Sequence, residues 1–121
     1  MTADDYTKAM LASLIWRAAS GISFPAMVAV GLCVRNQVKD GNWLPVIAGI
    51  SSTMPAGKDC EDARDPRFQN VLTAVDGIFD GTRVDKWTNG GLYWTPVGEK
   101  FWWTSGVKER VATVAGLEIY R

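Results

Sequence analysis

Histidine is absent from this chain of 121 residues. This excludes Ser-His-Asp and Cys-His nucleophile systems, as well as histidine-based metal sites. The two cysteines, Cys33 and Cys60, are too few to form a zinc or iron–sulfur site alone. A disulfide between them is not favoured, since Cys33 lies in an apolar run and Cys60 in a polar one. Walker and G-x-G-x-x-G loops are also missing, so we expect carboxylate chemistry or binding without a metal or cofactor.

The chain also lacks a net charge, because its 13 basic and 13 acidic residues cancel. This balance gives no reason to expect a nucleic-acid partner. The longest apolar run, residues 24–34, is too short to span a membrane. The first eight residues, MTADDYTK, contain no apolar signal-peptide core, so we do not expect Sec-type export. The length and the 47% hydrophobic content predict one globular domain over residues 1–121.

Two consecutive helices are predicted around residues 11–38, because apolar residues recur there three and four positions apart. Thr2 or Asp4 can cap the first helix, and Gly21 can supply the left-handed residue that ends it. Pro25 then falls in the first turn of the second helix, where proline is tolerated. That second helix is apolar almost all round, which predicts that it is the buried one.

Two further helices are predicted in the middle of the chain. Residues 43–50 form a short apolar segment of helical character, and residues 51–64 are the most loop-like part. Asp65 then serves as a cap and Pro66 as the first helical residue of an amphipathic helix. Gly81 closes that helix after roughly four turns.

The C-terminal part has strand character. Residues 92–94 and 101–103 are short aromatic runs, and residues 110–114 and 117–120 alternate in polarity. The last two segments form a plausible hairpin around Ala115-Gly116. Helices that precede a small antiparallel sheet predict an α+β fold.

Two sets of residues stand in an order and spacing that matches a family pattern. In the first two helices these are Leu11, Ala12, Leu14, Ile15, Ala19, Gly21, Val28, Ala29, Val30, Gly31, Val34, Asn36 and Val38. Later they are Asp65-Pro66-Arg67-Phe68, Phe79-Asp80-Gly81, Thr88-Asn89-Gly90-Gly91-Leu92-Tyr93-Trp94, Trp102 and residues 115–120. In both sets the chain resembles the SleB-type cell-wall hydrolases, the spore-cortex-lytic family with relatives in phages and other bacteria. The resemblance implies a lysozyme-like α+β domain with N-terminal helices around a buried central helix.

One position departs from the family pattern, because the catalytic glutamate of these enzymes falls on Ala18. The chain has no glutamate before Glu61, so a neighbouring residue cannot replace it. Two explanations stay open: an introduced glutamate-to-alanine change, or a natural relative without activity. We favour the introduced change, since the residues that flank Ala18 keep the pattern.

The resemblance implies cleavage of the MurNAc–GlcNAc bond of peptidoglycan by a single-glutamate lytic transglycosylase or muramidase. Glycan cleavage also suits a chain without histidine, because a carboxylic acid can protonate the leaving oxygen. With Ala18 in the acid's place, we expect this chain to be an inactive variant of a phage lysin or an antibacterial secreted effector. The alternative is a non-catalytic glycan-binding module or a phage structural component.

The predicted substrate-binding residues are Tyr93, Asn89, Gly90, Gly91, Trp94 and Trp102. Tyr93 is the first choice, since it stands at the aromatic position of the family's G-G-x-x-Y/F motif. Tryptophans can stack on sugar rings, while Asn89 and the neighbouring glycine backbone can bond N-acetyl groups. If Tyr93 and Trp94 lie on a strand, they point to opposite faces, so only one of them can line a cleft.

Other polar residues are interpreted as structural. Asn36 is expected to hydrogen-bond at a helix end, although a place in the cleft stays open. The acids Glu61, Asp62 and Asp65 read as a solvated loop and a helix cap.

The resemblance also implies partners and a place of action. Peptidoglycan glycan strands are the expected ligand, and an immunity or inhibitor protein is the expected partner of a secreted effector. Without an evident signal peptide, such a domain is made in the cytoplasm. It then acts in the periplasm or cell wall after delivery by a phage or a specialised secretion system.

Overall fold

The computed structural model describes residues 2–55, 57–99 and 109–121 as helices, strands and loops. The helices are α1 Ala3–Ala19, α2 Phe24–Gln37, α3 Trp43–Thr53 and α4 Pro66–Asp80, and the strands are β1 Tyr93–Pro96, β2 Arg110–Val114 and β3 Leu117–Tyr120. The strands form one antiparallel sheet in the order β1-β3-β2. The predicted α+β fold is therefore confirmed.

Helix α1 begins at a capping box. The Thr2 hydroxyl accepts a hydrogen bond from the Asp5 amide, and the Asp5 carboxylate accepts one from the Thr2 amide. The prediction for the other end is wrong, because Gly21 does not adopt a positive φ. The chain leaves α1 through a turn in which the Ile22 amide donates to the Ala19 carbonyl at 3.0 Å, and such a turn needs no left-handed residue.

Helix α2 lies at the centre of the core, as its composition predicts. Every residue from position 26 to position 34 is buried. Pro25 occupies the first turn, and the Ser23 hydroxyl caps it by accepting from the Ala26 amide at 3.2 Å. Gly31 brings α2 close to its neighbours, since a Cβ there would lie 2.6 Å from Ile78 Cδ1. The two N-terminal helices are thus joined to α4 through one tightly packed core.

The other two helices follow the predicted signals closely. Helix α3 starts at Trp43 as predicted and continues to Thr53, three residues beyond the predicted end. The Asp65 carboxylate caps α4, and Gly81 ends α4 in the left-handed conformation with φ 82°. For α4, the capping side chain of Asp65 and the left-handed glycine at position 81 therefore predict both helix ends correctly.

The predicted hairpin is formed by β2 and β3. Its turn places Ala115 at φ 45° and Gly116 at φ 96°, the left-handed conformations that suit the twist of a two-residue hairpin. The Ser23 hydroxyl donates to the Ala115 carbonyl at 3.4 Å, so the hairpin turn lies against the loop between α1 and α2. The aromatic run predicted as a strand at residues 101–103 lies outside the described residues.

Both cysteines are free thiols. Burial raises the pKa of the Cys33 thiol far above its ordinary value, so this residue is an inert part of the core. Within the described parts of the chain, no helix has the length and apolar character needed to cross a membrane.

Candidate functional site

A groove of about 340 Å³ opens where the C-terminal end of α1 meets β1 and the loop after α3. This volume falls in the range of small-ligand sites. Three parts of the chain line it: Arg17, Ala18, Gly21 and Ile22 at the end of α1, Met54 and Pro55 after α3, and Trp94, Pro96 and Glu99 in and after β1. Most of these residues are apolar, and the described lining contains one cation and one carboxylate.

Ala18 lies at the edge of this groove. Its side chain is half-buried in the last turn of α1, packs against the core on one side and lines the groove on the other. A longer side chain at position 18 can therefore extend into the groove without entering the packed interior. This is the placement that a proton donor at the end of α1 requires.

The structure separates the two aromatic residues predicted on β1. Trp94 lines the groove, but only 1% of its surface is exposed, and it pairs with the buried Ile119 across the sheet. Tyr93 points to the opposite face of the strand and does not line the groove. Tyr93 is therefore not part of the described lining of this groove, and its role in substrate binding stays a prediction. Trp94 forms the floor of the groove and offers too little surface for a sugar ring to stack on it.

The Thr-Asn-Gly-Gly segment, residues 88–91, is not part of the described groove lining. Asn89 and Gly90 are exposed with φ of 52° and 75°, and neither lines the groove. Gly91 is buried, and its amide donates to the Thr88 carbonyl at 2.9 Å. A Cβ on Gly91 would collide with the Ile119 side chain, so glycine is needed there for packing. The predicted N-acetyl contacts of these three residues are thus not supported, and Trp102 lies outside the described residues.

Asn36 holds this segment against the end of α2. Its side-chain amide donates to the Gly91 carbonyl at 2.9 Å, to the Thr88 hydroxyl at 3.2 Å and to the Asp85 carboxylate at 3.3 Å. Two N–H groups thus serve three acceptors, which is a structural role at a helix end. Asn36 is not part of the groove lining.

Asp85 is the centre of the same network and was missed in the sequence. Its carboxylate accepts hydrogen bonds from the backbone amides of Trp87 at 3.1 Å and Thr88 at 2.8 Å, from the Thr88 hydroxyl, and from Asn36. Burial acts to raise the pKa of this carboxyl, but the hydrogen bonds outweigh it and the pKa is lowered. An aspartate two and three residues before its backbone donors is the signal that could have identified this turn.

Replacing Asp85 with asparagine is expected to cost about 1–3 kcal/mol of unfolding free energy at pH 7, because the amide and hydroxyl of the buried Thr88 lose their charged acceptor. The lowered pKa means that the carboxylate stabilises the fold above the ordinary aspartate range. This contribution is lost as the pH falls through the folded-state pKa. The difference in unfolding free energy between the unmodified chain and the Asp85→Asn variant should therefore narrow in acid. Urea unfolding at pH 7 and near pH 3 measures it.

Asp40→Asn is the matched control for that substitution. Asp40 is exposed with φ 56°, a conformation that asparagine adopts readily, so a change within about 0.5 kcal/mol is expected. An Asp85→Asn loss no larger than that of the control would contradict the role of this network.

Arg17 lines the groove and is a second residue that sequence reasoning missed. Its Nη2 donates to the Ser51 hydroxyl at 3.1 Å, which ties α1 to the end of α3. Its Nε is buried, lies 3.7 Å from the Asp59 carboxylate and has no hydrogen-bond partner among the described residues. Gly57 packs on the Arg17 carbonyl so closely that a Cβ there would collide with it. The loop after α3 therefore forms a wall of the groove next to Ala18.

Glu99 is the carboxylate of the groove lining. It is exposed, and its amide donates to the Pro96 carbonyl at 3.0 Å in the turn that follows β1. A solvated carboxylate is poorly suited to donate a proton to a glycosidic oxygen, since this task needs an apolar pocket. The loop acids Glu61, Asp62 and Asp65 do not line the groove, as their interpretation as solvated residues and a cap predicts.

The fold and the groove define an α+β domain with a largely apolar groove, whose described lining contains no buried acid. Among the described residues, no group of histidine, cysteine or acidic side chains is arranged to hold a metal ion. Comparisons with protein-family models, with curated proteins and with solved structures each found no match to this chain. The likeness to SleB-type enzymes therefore depends on the sequence motifs alone.

Proposed function

We propose that this chain is a peptidoglycan-binding domain of the SleB-type, lysozyme-like class of glycan-strand-cleaving enzymes, with the acid's position occupied by Ala18. The observation that carries the proposal is the placement of Ala18. Its side chain lines a groove at the end of α1 instead of lying inside the core. The motif match assigns the catalytic acid to the same position.

The chemistry of such a site needs one carboxylic acid. A glutamate at position 18 would protonate the glycosidic oxygen as the bond to the sugar's anomeric carbon breaks. The carboxylate that results would take the proton of the sugar's own 6-hydroxyl as that oxygen attacks the same carbon, which leaves a 1,6-anhydro end and a regenerated acid. In the muramidase variant, water attacks in place of the 6-hydroxyl. Apolar groove residues such as Met54 and Trp94 favour the protonated form of an acid at this place, whereas the Arg17 guanidinium favours the carboxylate that forms after proton transfer.

A non-catalytic glycan-binding module is the second candidate, and Ala18 itself favours it. The methyl group can neither donate nor accept a proton, while the groove, its apolar walls and Arg17 are still present. Both candidates predict that the chain as it stands binds peptidoglycan without cutting it. Only the enzyme candidate predicts that a single carboxyl group at position 18 gives cleavage.

Purified sacculi test the two candidates together. Sedimentation with sacculi measures binding by the unmodified chain, and loss of turbidity measures cleavage by the Ala18→Glu variant. Mass spectrometry of the released muropeptides then separates the two reactions, since anhydro ends and reducing ends differ by one water. A folded Ala18→Glu variant that binds sacculi and leaves them intact would favour the non-catalytic module.

The proposed place of action is the cell wall, reached by phage or secretion-system delivery, with an immunity or inhibitor protein as partner of an effector. The Ala18→Glu variant is expected to lyse a bacterial host when a leader directs it to the periplasm, and to be tolerated without one. The unmodified chain with the same leader is the control. Equal toxicity in both compartments would argue against a wall target.

A further inference from the structure

Arg17 presents an incompletely paired guanidinium next to Ala18. Its side chain is 24% exposed and lines the groove, and its only hydrogen bond in the described structure goes to Ser51. The carboxylate of Asp59 is 3.7 Å from Nε, and its side chain is 83% exposed. Because Asp59 is largely open to water, an ion pair of this length is worth little. The guanidinium therefore has donors left for an acceptor that enters the groove.

The surroundings of Arg17 select the kind of acceptor. Ile22, Met54 and Trp94 make the groove apolar, and charges interact more strongly beside such walls than in water. A guanidinium forms its best hydrogen bonds with a carboxylate, which it can hold through two parallel N–H groups. Glu99, the acid of the described lining, is exposed and is not paired with Arg17.

We propose that Arg17 binds a carboxylate carried by the glycan strand, and so selects acidic strands over neutral ones; this rests on the proposed function. Peptidoglycan offers that chemistry from two sources. One is the lactyl group of MurNAc, whose carboxylate is free where the stem peptide has been removed. The other is the set of carboxylates on the stem peptide itself. In either case the bound acid lies beside the position where the bond would be cut.

Four soluble glycan probes test this on the unmodified chain, which under the proposed function binds glycan without cutting it. They are MurNAc–GlcNAc strands without stems, the same strands with lactyl carboxyls amidated, strands with stems, and strands with stems whose carboxyls are amidated. Isothermal titration calorimetry should show about tenfold or greater weakening upon amidation in at least one pair, the loss expected for a charge-assisted hydrogen bond. The pair that responds identifies the source. Equal affinity within both pairs would overturn the proposal.

Variants of Arg17 then assign the effect to this residue. Arg17→Gln should bind the acidic and amidated probes equally, and Arg17→Lys should keep only part of the preference because it lacks the planar fork. Lys8→Gln removes the same charge about 14 Å away along α1 and should leave the preference unchanged. A preference that survives in a folded Arg17→Gln variant would also overturn the proposal. If the proposed function itself is wrong, none of the four probes should bind. That result differs from binding without a preference for acidic strands.

Discussion

The Ala18→Glu variant is expected to cleave purified sacculi at a rate at least ~10²–10⁴-fold above that of the unmodified chain. That factor is what a positioned general acid supplies, and position 18 lies where an added side chain reaches the groove. Ala18 is half-buried and lines the groove, so the larger side chain has open space on the groove side. Initial rates of turbidity loss, at equal amounts of bound protein, measure the gain.

Two controls make that result specific. Ala18→Gln has the same size without a transferable proton, so it should bind sacculi and remain inactive. Glu99→Gln in the Ala18→Glu background should retain most of the activity, because an exposed carboxylate on the rim is not the acid. Activity in Ala18→Gln, or complete loss on changing Glu99, would contradict the assignment of the proton donor to position 18.

Replacing Trp94 with alanine is expected to lower the free energy of unfolding by about 3–5 kcal/mol, because the ring is buried and its removal leaves a cavity. Chemical denaturation measures this loss. Among the predicted binding residues, Trp94 is the one whose replacement we expect to reduce stability most. The reason is that its ring forms the buried floor of the groove. A small loss of stability combined with abolished glycan binding would instead restore the stacking role.

Trp87→Ala is the matched control for Trp94. The same ring is removed, but Trp87 is 42% exposed and lies outside the buried core, so the expected cost is much smaller. Equal losses of unfolding free energy in Trp94→Ala and Trp87→Ala would contradict the buried, structural role of Trp94.

Much of the helical half could be predicted because its signals are local. The ends of α4 are predicted by Asp65, Pro66 and Gly81. The burial of α2 is predicted by its uninterrupted apolar run. Gly21 shows the limit of such signals. Glycine permits a left-handed conformation without requiring one, and here the exit from α1 is set by the hydrogen bonds of the turn and by contact with the β2–β3 hairpin.

The site was less predictable, because it is formed by segments that are distant in sequence. Ala18 could be proposed from the motif, and strand alternation correctly required that only one of Tyr93 and Trp94 face the groove. Which of the two does so depends on how β1 packs against α2, and no local pattern contains that information. Arg17 and Glu99 acquire their roles only when the loop after α3 and the turn after β1 meet at the end of α1.

The polar end of α2 holds a stretch of the chain that lies 43 to 55 residues further along the sequence. Arg35 donates to the carbonyls of Ile78 and Arg83, Asn36 to the Thr-Asn-Gly-Gly segment, and Gln37 to the carbonyl of Leu92 just before β1. These residues belong to the most deeply buried helix, so the sheet cannot separate from the helices without exposing the end of that helix. The small sheet, too short to persist alone, therefore gains and loses its order together with the helical core as one cooperative unit.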